Sequence, residues 1–148
     1  MVVSVRDIMR KDLHTIGESA SIQDTARSMN DFKVSSLLVV DTQGNPIGLV
    51  TERDLVRKAC IKDKLSSQVT NKEIMSSPLI TIDAESSPSL TIDLMLKNGV
   101  RHLLVVDNEQ GNSGRPIGIV TPFDLMRYED YPREERRDVL EMILEYYV

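Results

Sequence analysis

Two short motifs in this chain place a hydroxyl and a carboxylate three residues apart. Thr51 and Asp54 form the first motif, and Thr121 and Asp124 form the second. A carboxylate can accept hydrogen bonds from two adjacent hydroxyl groups, and a threonine hydroxyl beside a helix N-terminus can contact an anion. The same spacing is also a capping box, which needs no ligand. Ligand contact and helix capping therefore both stay open, and one motif can serve both.

The segments that carry the two motifs are copies of each other. Residues 47–55 and 117–125 agree at seven of nine positions when Leu and Ile are counted as equal. Three further matched blocks lie 66 residues apart along the chain: 3–9 with 69–75, 13–16 with 79–82, and 36–41 with 102–107. Repetition over this period indicates an internal duplication. Four extra residues precede Ile117 in the second copy, and a hairpin loop would accept them at little cost.

Each copy predicts the same order of elements: a helical turn, a strand, a capped helix, two strands and a second helix. The capped helix of copy one starts at the Ser21 and Asp24 capping box and carries Ile22, Ala26 and Met29 on one face. In copy two, Ser87 caps, Pro88 occupies the first helical position and Gly99 ends the helix. The second helix of copy one is predicted to begin at Asp54.

The last part of the chain matches neither copy. Residues 133–148 predict an amphipathic helix, whose apolar side needs the repeats or a second subunit to cover it. A membrane-surface helix is the alternative, but it would carry a more basic polar face. The predicted boundaries are 1–66 for the first repeat, 67–127 for the second and 128–148 for the helical tail.

Composition restricts the class of protein. The 148 residues carry a net charge of −5 without a long basic run, which disfavours nucleic acid as the main partner. The only cysteine, Cys60, excludes an internal disulfide and is expected to be a small buried residue. With His14 and His102 it gives too few ligands for a metal site. Since no signal peptide, membrane span or nucleophile–base pair is evident, we expect a soluble, cytoplasmic protein without enzymatic activity.

Together, the repeated blocks resemble the CBS domain, named after cystathionine β-synthase, in the tandem form called a Bateman module. The resemblance covers residues 3–127. It implies an α+β fold of two β-α-β-β-α repeats packed sheet to sheet around a pseudo-twofold axis, with the C-terminal helix added. It also implies a regulatory sensor of adenosine-containing ligands, AMP, ADP, ATP or S-adenosylmethionine, which bind in two clefts between the repeats.

The resemblance assigns the ligand contacts crosswise, with each cleft using residues of both repeats. One cleft would combine Thr121 and Asp124 with Thr15, Ile16, Val34 and Ser35. The other would combine Thr51, Arg53 and Asp54 with Thr81, Ile82, Val100 and Arg101. In this scheme the aspartates hold the ribose and the apolar residues enclose the adenine. Val34 and Val100 are equally well explained as plain core residues.

A phosphate group also needs a cation. His102 and Ser36 precede equivalent strands, at a position where many members of the family carry Arg or His. Because only copy two has a cationic candidate there, with Arg101 next to it, we expect the Thr121 and Asp124 cleft to take the charged nucleotide. The other cleft would use Arg53 or bind weakly. A packing or surface role for His102 is the alternative.

The expected function is therefore regulatory. The chain would bind an adenine nucleotide, need no other cofactor, and report occupancy to an unknown effector protein. The apolar stripes of residues 22–32 and 90–98 would support a homodimer. Three alternatives stay open: an interaction subunit with vacant clefts, a sensor of S-adenosylmethionine-type ligands, and a nucleic-acid sensor.

Overall fold

The computed structural model describes residues 3–109, 114–128 and 133–147. Residues 110–113, which are part of the segment 108–116 where the four extra residues of the second copy were predicted, and residues 129–132 lie outside them. The chain divides into two compact units. The first-repeat unit is Leu13–Leu79, and the second-repeat unit combines Met1–Asp12 with Ile80–Val148. Each unit is α+β with one three-stranded sheet.

The first-repeat unit follows the predicted order of elements. Its strands are β1 Thr15–Gly17, β2 Ser36–Val40 and β3 Pro46–Thr51, in sheet order β1-β2-β3, with β1 parallel and β3 antiparallel to β2. Its helices are α2 Ile22–Phe32, α3 Glu52–Asp54 and α4 Asn71–Ile74. A π-helical turn, Leu55–Ala59, and 3-10 turns at Cys60–Lys62 and Ser66–Gln68 complete it.

The described part of the second-repeat unit has the same sheet order and one additional α-helix, α7. Its strands are β4 Thr81–Asp83, β5 Leu103–Asp107 and β6 Arg115–Val120, with the same pairing directions. Its helices are α1 Val5–Ile8, α5 Pro88–Asn98, α6 Pro122–Arg127 and α7 Arg133–Tyr147. Because β5 is buried along its whole length, its apolar run suits a strand that is covered on both faces.

The short leading helices are exchanged relative to the sequence repeats. Although α1 precedes the first repeat, its Val5 N–H donates to Ser86 O at 2.9 Å, and Arg10 bridges to Ile119 in β6. In the same way, α4 precedes the second repeat, yet Asn71 N–H donates to Ala20 O at 3.1 Å. The compact units therefore do not begin where the sequence copies begin.

The predicted N-caps Ser21 and Ser87 are confirmed, and of the predicted Ser21–Asp24 capping box the described hydrogen bonds contain the half in which Ser21 accepts. Asp24 N–H donates to Ser21 Oγ at 3.1 Å, and Leu90 N–H donates to Ser87 Oγ at 3.3 Å. Pro88 occupies the first turn of α5, and Gly99 ends it in the left-handed region with φ 63°. A side chain at Gly99 would be strained there, which accounts for a glycine at this helix end.

Three predicted details are wrong. Ala26 is exposed. Thr25 lies on the buried side of α2 instead, where its hydroxyl donates to Asn71 Oδ1 at 2.6 Å. The helix after the first motif begins at Glu52 instead of Asp54, since Thr51 is its N-cap. Cys60 is exposed, because the π-helical turn that ends at Ala59 turns the alanine inward instead.

The C-terminal helix packs on the second repeat. Val139 and Met142 are fully buried and belong to the same hydrophobic cluster as Leu125 of α6. The first-repeat unit has its own cluster, which includes Leu37, Val39 and Val50. The prediction that the repeats would cover the apolar side of α7 is therefore confirmed for its inner face.

Candidate functional site

The sheet order brings the predicted residues of each repeat to one edge. In the first repeat, β1 and β2 begin at the edge where β3 ends. Ser36 pairs with Thr51 in register, and Glu52 N–H donates to Ser35 O at 3.0 Å. Thr15 begins β1 at this edge. The first motif therefore shares one sheet edge with Thr15 and Ser35 of its own repeat.

The second repeat has the equivalent edge. Leu103, the first residue of β5, pairs with Val120, the last residue of β6. His102 precedes β5 and Thr121 follows β6, so both lie at the same end of the sheet. Thr81 begins β4 there. The crosswise grouping, in which each motif works with residues of the other repeat, stays a prediction.

The first motif forms a complete capping box. Thr51 N–H donates to Asp54 Oδ2 at 3.0 Å, and Asp54 N–H donates to Thr51 Oγ1 at 3.3 Å. The Thr51 hydroxyl also contacts Asp54 Oδ2 at 3.2 Å. The other carboxylate oxygen, Oδ1, is 3.1 Å from Lys58 Nζ. One oxygen therefore fixes the helix start, and the second oxygen faces a cation.

The second motif has the same cap but a stronger cationic environment. Thr121 N–H donates to Asp124 Oδ2 at 2.8 Å, and the hydroxyl contacts the same oxygen at 3.1 Å. Asp124 Oδ1 pairs with Arg127, and Arg10 Nε lies 3.5 Å away. Although the Asp124 side chain is fully buried, those of Arg10 and Arg127 are 51% and 59% exposed. Two guanidinium groups therefore lie between this carboxylate and solvent.

Sequence reasoning missed all three cations that contact the aspartates. Lys58 and Arg127 follow their aspartates by four and three residues, so the helical spacing could have revealed both. Arg10 had no such signal. It reaches Asp124 because its backbone bridges to Ile119, more than a hundred residues away in sequence.

The predicted apolar contacts pack against the core of their own unit. Ile82 is 3% exposed and belongs to the second-repeat cluster, and Val100 packs against that cluster. Ile16 and Val34 pack in the same way against the first-repeat cluster. Their side chains thus have a structural role in each unit, and their role beside an adenine ring stays a prediction.

The predicted phosphate cations differ in their surroundings. Arg101 has a side chain only 12% exposed; it donates from Nη1 to Val100 O at 3.1 Å and from Nη2 to Glu145 Oε2 of α7 at 3.3 Å. Its Nε is buried with no hydrogen-bond partner. His102 and Arg53 are half-buried. The tail helix therefore contacts one of the predicted ligand residues directly.

Other kinds of site have little support. Within residues 3–109, 114–128 and 133–147, no group of three or more His, Cys, Asp or Glu side chains could hold a metal ion. His14 stacks on Phe32 with ring centroids 4.0 Å apart. In the same described ranges, no helix combines the length and the apolar character that crossing a bilayer requires.

Comparison with known proteins identifies the family. The CBS domain family model matches the chain twice, at residues 5–60 and 72–131. A solved CBS domain protein from Thermoplasma acidophilum superposes with a TM-score of 0.82 at 27% identity and covers 97% of this chain and 78% of that one. The chain belongs to the CBS domain family and contains a tandem pair. Such pairs are typically ligand-sensing regulatory modules.

Three further proteins are similar to this chain. An uncharacterized protein of Methanopyrus kandleri is 34% identical over 129 residues, which are 87% of this chain and 64% of that protein. A CBS domain pair solved in complex with 5-methylthioadenosine and S-adenosyl-L-methionine has a TM-score of 0.71 at 27% identity and covers 86% of this chain. An inosine-5'-monophosphate dehydrogenase of Nitrosopumilus maritimus is 30% identical, but the match spans 25% of that enzyme.

Proposed function

We propose that this chain is a regulatory module that binds an adenine nucleotide at its two Thr-x-x-Asp motifs. The observation that supports this most is the divided role of each aspartate. One carboxylate oxygen caps a helix, whereas the partners of Oδ1 among the described residues are cations on exposed side chains. The Lys58, Arg10 and Arg127 side chains that carry these cations are 47%, 51% and 59% exposed, so each can move into solvent when a ligand takes its place.

Replacement of the cation at each aspartate by a ligand hydroxyl would suit a nucleotide. The two ribose hydroxyls would donate to Asp Oδ1, and the displaced cation would be free to pair with a phosphate group. Among the described ion pairs, Asp124 contacts two guanidinium groups, from Arg10 and Arg127, and Asp54 contacts the ammonium group of Lys58. We therefore assign the more highly charged nucleotide to Asp124, as the sequence predicted, with His102 as a further candidate.

Regulation would follow from differential affinity. A ligand shifts a conformational equilibrium only by the difference in its affinity for the two states. In this proposal the occupied chain favours one arrangement, which an effector protein distinguishes. Homodimerisation stays a prediction. The apolar sides of α2 and α5 were expected to support it, but their residues Ile22, Met29, Ile92 and Met95 are buried in their own units.

Calorimetric titration of the full chain tests the proposal. ATP, AMP and adenosine are compared on wild type, Arg10→Gln, Arg127→Gln and Asp54→Asn, with Arg115→Gln as an exposed-arginine control. We expect the two arginine variants to weaken ATP by about tenfold, because removing a charged contact costs ~1.4 kcal/mol or more, and to bind adenosine, which has no phosphate, at least as well as wild type does. Equal weakening of ATP and adenosine would contradict the assignment of phosphate to these arginines.

An S-adenosylmethionine-type sensor is the second candidate function. It is favoured by the similar domain pair that is solved with 5-methylthioadenosine and S-adenosyl-L-methionine. Neither ligand carries a phosphate, so the Arg10→Gln and Arg127→Gln variants should bind both at least as well as wild type does. Tight binding of these ligands without measurable binding of ATP or AMP would replace the nucleotide proposal.

A subunit with vacant sites is the remaining alternative, because both capping boxes are complete without a ligand. It predicts no heat and no thermal shift with any adenosine compound. In that case, replacing Asp54 or Asp124 by alanine would change the stability of the chain and no binding property.

A further inference from the structure

The helix that follows each Thr-x-x-Asp motif is covered to a different extent in the two repeats. In the second repeat, α7 packs on α6, and Leu125 is completely buried. The equivalent residue of the first repeat, Leu55, is only half-buried. Met126 packs against the second-repeat cluster, whereas its equivalent Val56 is 64% exposed. The first repeat thus has a helix surface like the one that α7 covers in the second.

This uncovered surface, called here the first-repeat patch, is apolar and basic. Its apolar members are Val56, Ile61 and Leu65, which are 64%, 80% and 67% exposed. Its exposed charged residues are the cations Arg57, Lys62 and Lys64 and the anion Asp63. A cluster of cations is unexpected in a chain with a net charge of −5. The 3-10 turn Ser66–Gln68 packs on α2 and leaves these apolar side chains in solvent.

The outer face of α7 has the complementary character. Leu140 and Leu144, one helical turn apart, are 46% and 53% exposed. Glu141 and Glu145 lie beside them, with side chains 66% and 75% exposed. The inner face of α7 already packs on the second repeat through Val139 and Met142. Glu145 pairs with Arg101 of the same unit and Glu141 pairs with the exposed Arg137 of α7, so this second face carries two exposed leucines, two largely exposed glutamates and one arginine.

We infer that the outer face of α7 in one copy of this chain docks on the first-repeat patch of a second copy. The contact would cover exposed leucines with exposed aliphatic side chains and place glutamates beside lysines and an arginine. Such charge complementarity between patches increases the association rate and selects the partner. A symmetric pair would contain the contact twice, whereas a contact that does not close on itself would build longer chains of molecules.

The expected affinity is modest. A single helix on a small patch buries less than the ~1,200 Å² of a standard interface, so one contact alone would be weak. Two reciprocal contacts in one pair reinforce each other. We therefore expect a dimer with a dissociation constant in the range of about 1–100 μM at low salt, weakened at high salt as the charges are screened.

Sedimentation analysis of the full chain tests the inference. Wild type is compared with a patch variant, Lys62→Glu/Lys64→Glu, a helix variant, Glu141→Lys, and their combination. The control Lys72→Glu/Lys97→Glu makes the same change in net charge at exposed lysines outside the patch. All substituted side chains are exposed, and a melting curve for each variant checks that it is folded.

The expected pattern is specific to this pair of surfaces. The patch variant and the helix variant each raise the dissociation constant by about tenfold, and the combination recovers most of that loss, because the charges across the contact are reversed together. The control leaves the dissociation constant unchanged. Two results would overturn the inference: a wild-type chain that stays monomeric at millimolar concentration, or a dimer that neither variant weakens.

Discussion

The two repeats cover the helix after their Thr-x-x-Asp motif in different ways. In the second repeat a dedicated helix, α7, buries Leu125 together with Val139 and Met142. In the first repeat the π-helical turn buries Ala59 and leaves Val56 and Cys60 outside. Copies of one sequence can therefore keep the sheet, the caps and the motif while the surface around them diverges.

The same contrast extends to the carboxylates. Both aspartates cap through Oδ2, but Asp124 faces two arginines and Asp54 faces one lysine. Arginine is always charged and can bind a phosphate through two parallel hydrogen bonds, whereas lysine acts as a point charge. Under the proposed function, the two sites would share ribose recognition and differ in how they treat phosphate.

The largest expected effect concerns the two strand glycines. A Cβ at Gly118 would lie 2.6 Å from Arg10 O, whereas one at Gly48 would lie 3.0 Å from Ser76 O and 2.6 Å from the flexible Met75 sulfur. We expect Gly118→Ala to cost ~3 kcal/mol and Gly48→Ala ~1–2 kcal/mol in urea unfolding, because a backbone oxygen cannot move as a thioether can. Gly17→Ala, which meets no atom within 4 Å, is the control. Equal costs at positions 48 and 118 would remove this difference between the repeats.

The next effect concerns the capping aspartates. Asp124→Ala should destabilise the chain by ~2 kcal/mol, because it removes a cap and the contacts of a fully buried carboxylate. Asp54→Ala should cost ~1 kcal/mol, since this carboxylate is paired with one lysine. Urea unfolding at pH 7 measures both, and Asn at each position keeps part of the cap as a control. A larger loss at Asp54 would reverse the ranking of the two sites.

A smaller effect separates the capped helices α2 and α5. The Thr25 hydroxyl donates to buried Asn71 Oδ1 at 2.6 Å, whereas Thr91 reaches only Ser87 O, at 3.4 Å, and Val5 is the equivalent of Asn71. Thr25→Val should cost ~1–2 kcal/mol because it leaves a buried amide oxygen unpaired, and Thr91→Val should stay within ~0.5 kcal/mol of wild type. Thermal unfolding of both variants gives the comparison. Similar losses would show that the amide contact adds little stability.

The smallest effect is a pH dependence at the start of α4. Hydrogen bonds from the Thr70 N–H and hydroxyl, helped by Lys62 and Lys64, hold the pKa of Glu73 below its ordinary value of 4.5. Because the pKa of Glu73 is lower in the folded chain than in the unfolded chain, the stability that its carboxylate contributes is complete above pH 4.5. That contribution is lost as the pH falls through the folded pKa. Glu73→Gln should therefore give a shallower loss of stability below pH 4.5, measured by urea unfolding across pH. An unchanged slope would contradict this role.

Most of the fold could be predicted from the sequence because the signals were local and occurred twice. The Ser21 and Ser87 caps, the Gly99 helix end and the strand before each motif are set by neighbouring residues. The inward turn of Thr25 could not be predicted, because it depends on Asn71, a long-range partner. The exposure of Cys60 follows from a π-helical turn that spacing alone does not show.

The candidate site could be predicted less completely. The motif residues are local in sequence, and they form the capping boxes that their spacing predicts. The surrounding cations depend on tertiary structure, and Arg10 joins Asp124 only because the leading segment pairs with the other repeat. The contact between Arg101 and Glu145 likewise requires α7 to be in place.

The most direct test of the account is calorimetric titration of the full chain with ATP. We predict saturable binding that is lost with the double variant Asp54→Asn/Asp124→Asn, whose side chains still accept the capping hydrogen bonds. The Arg115→Gln control should bind as wild type does. Full binding by the double variant, or no binding of any adenosine compound to wild type, would contradict the claim that these aspartates hold a ligand.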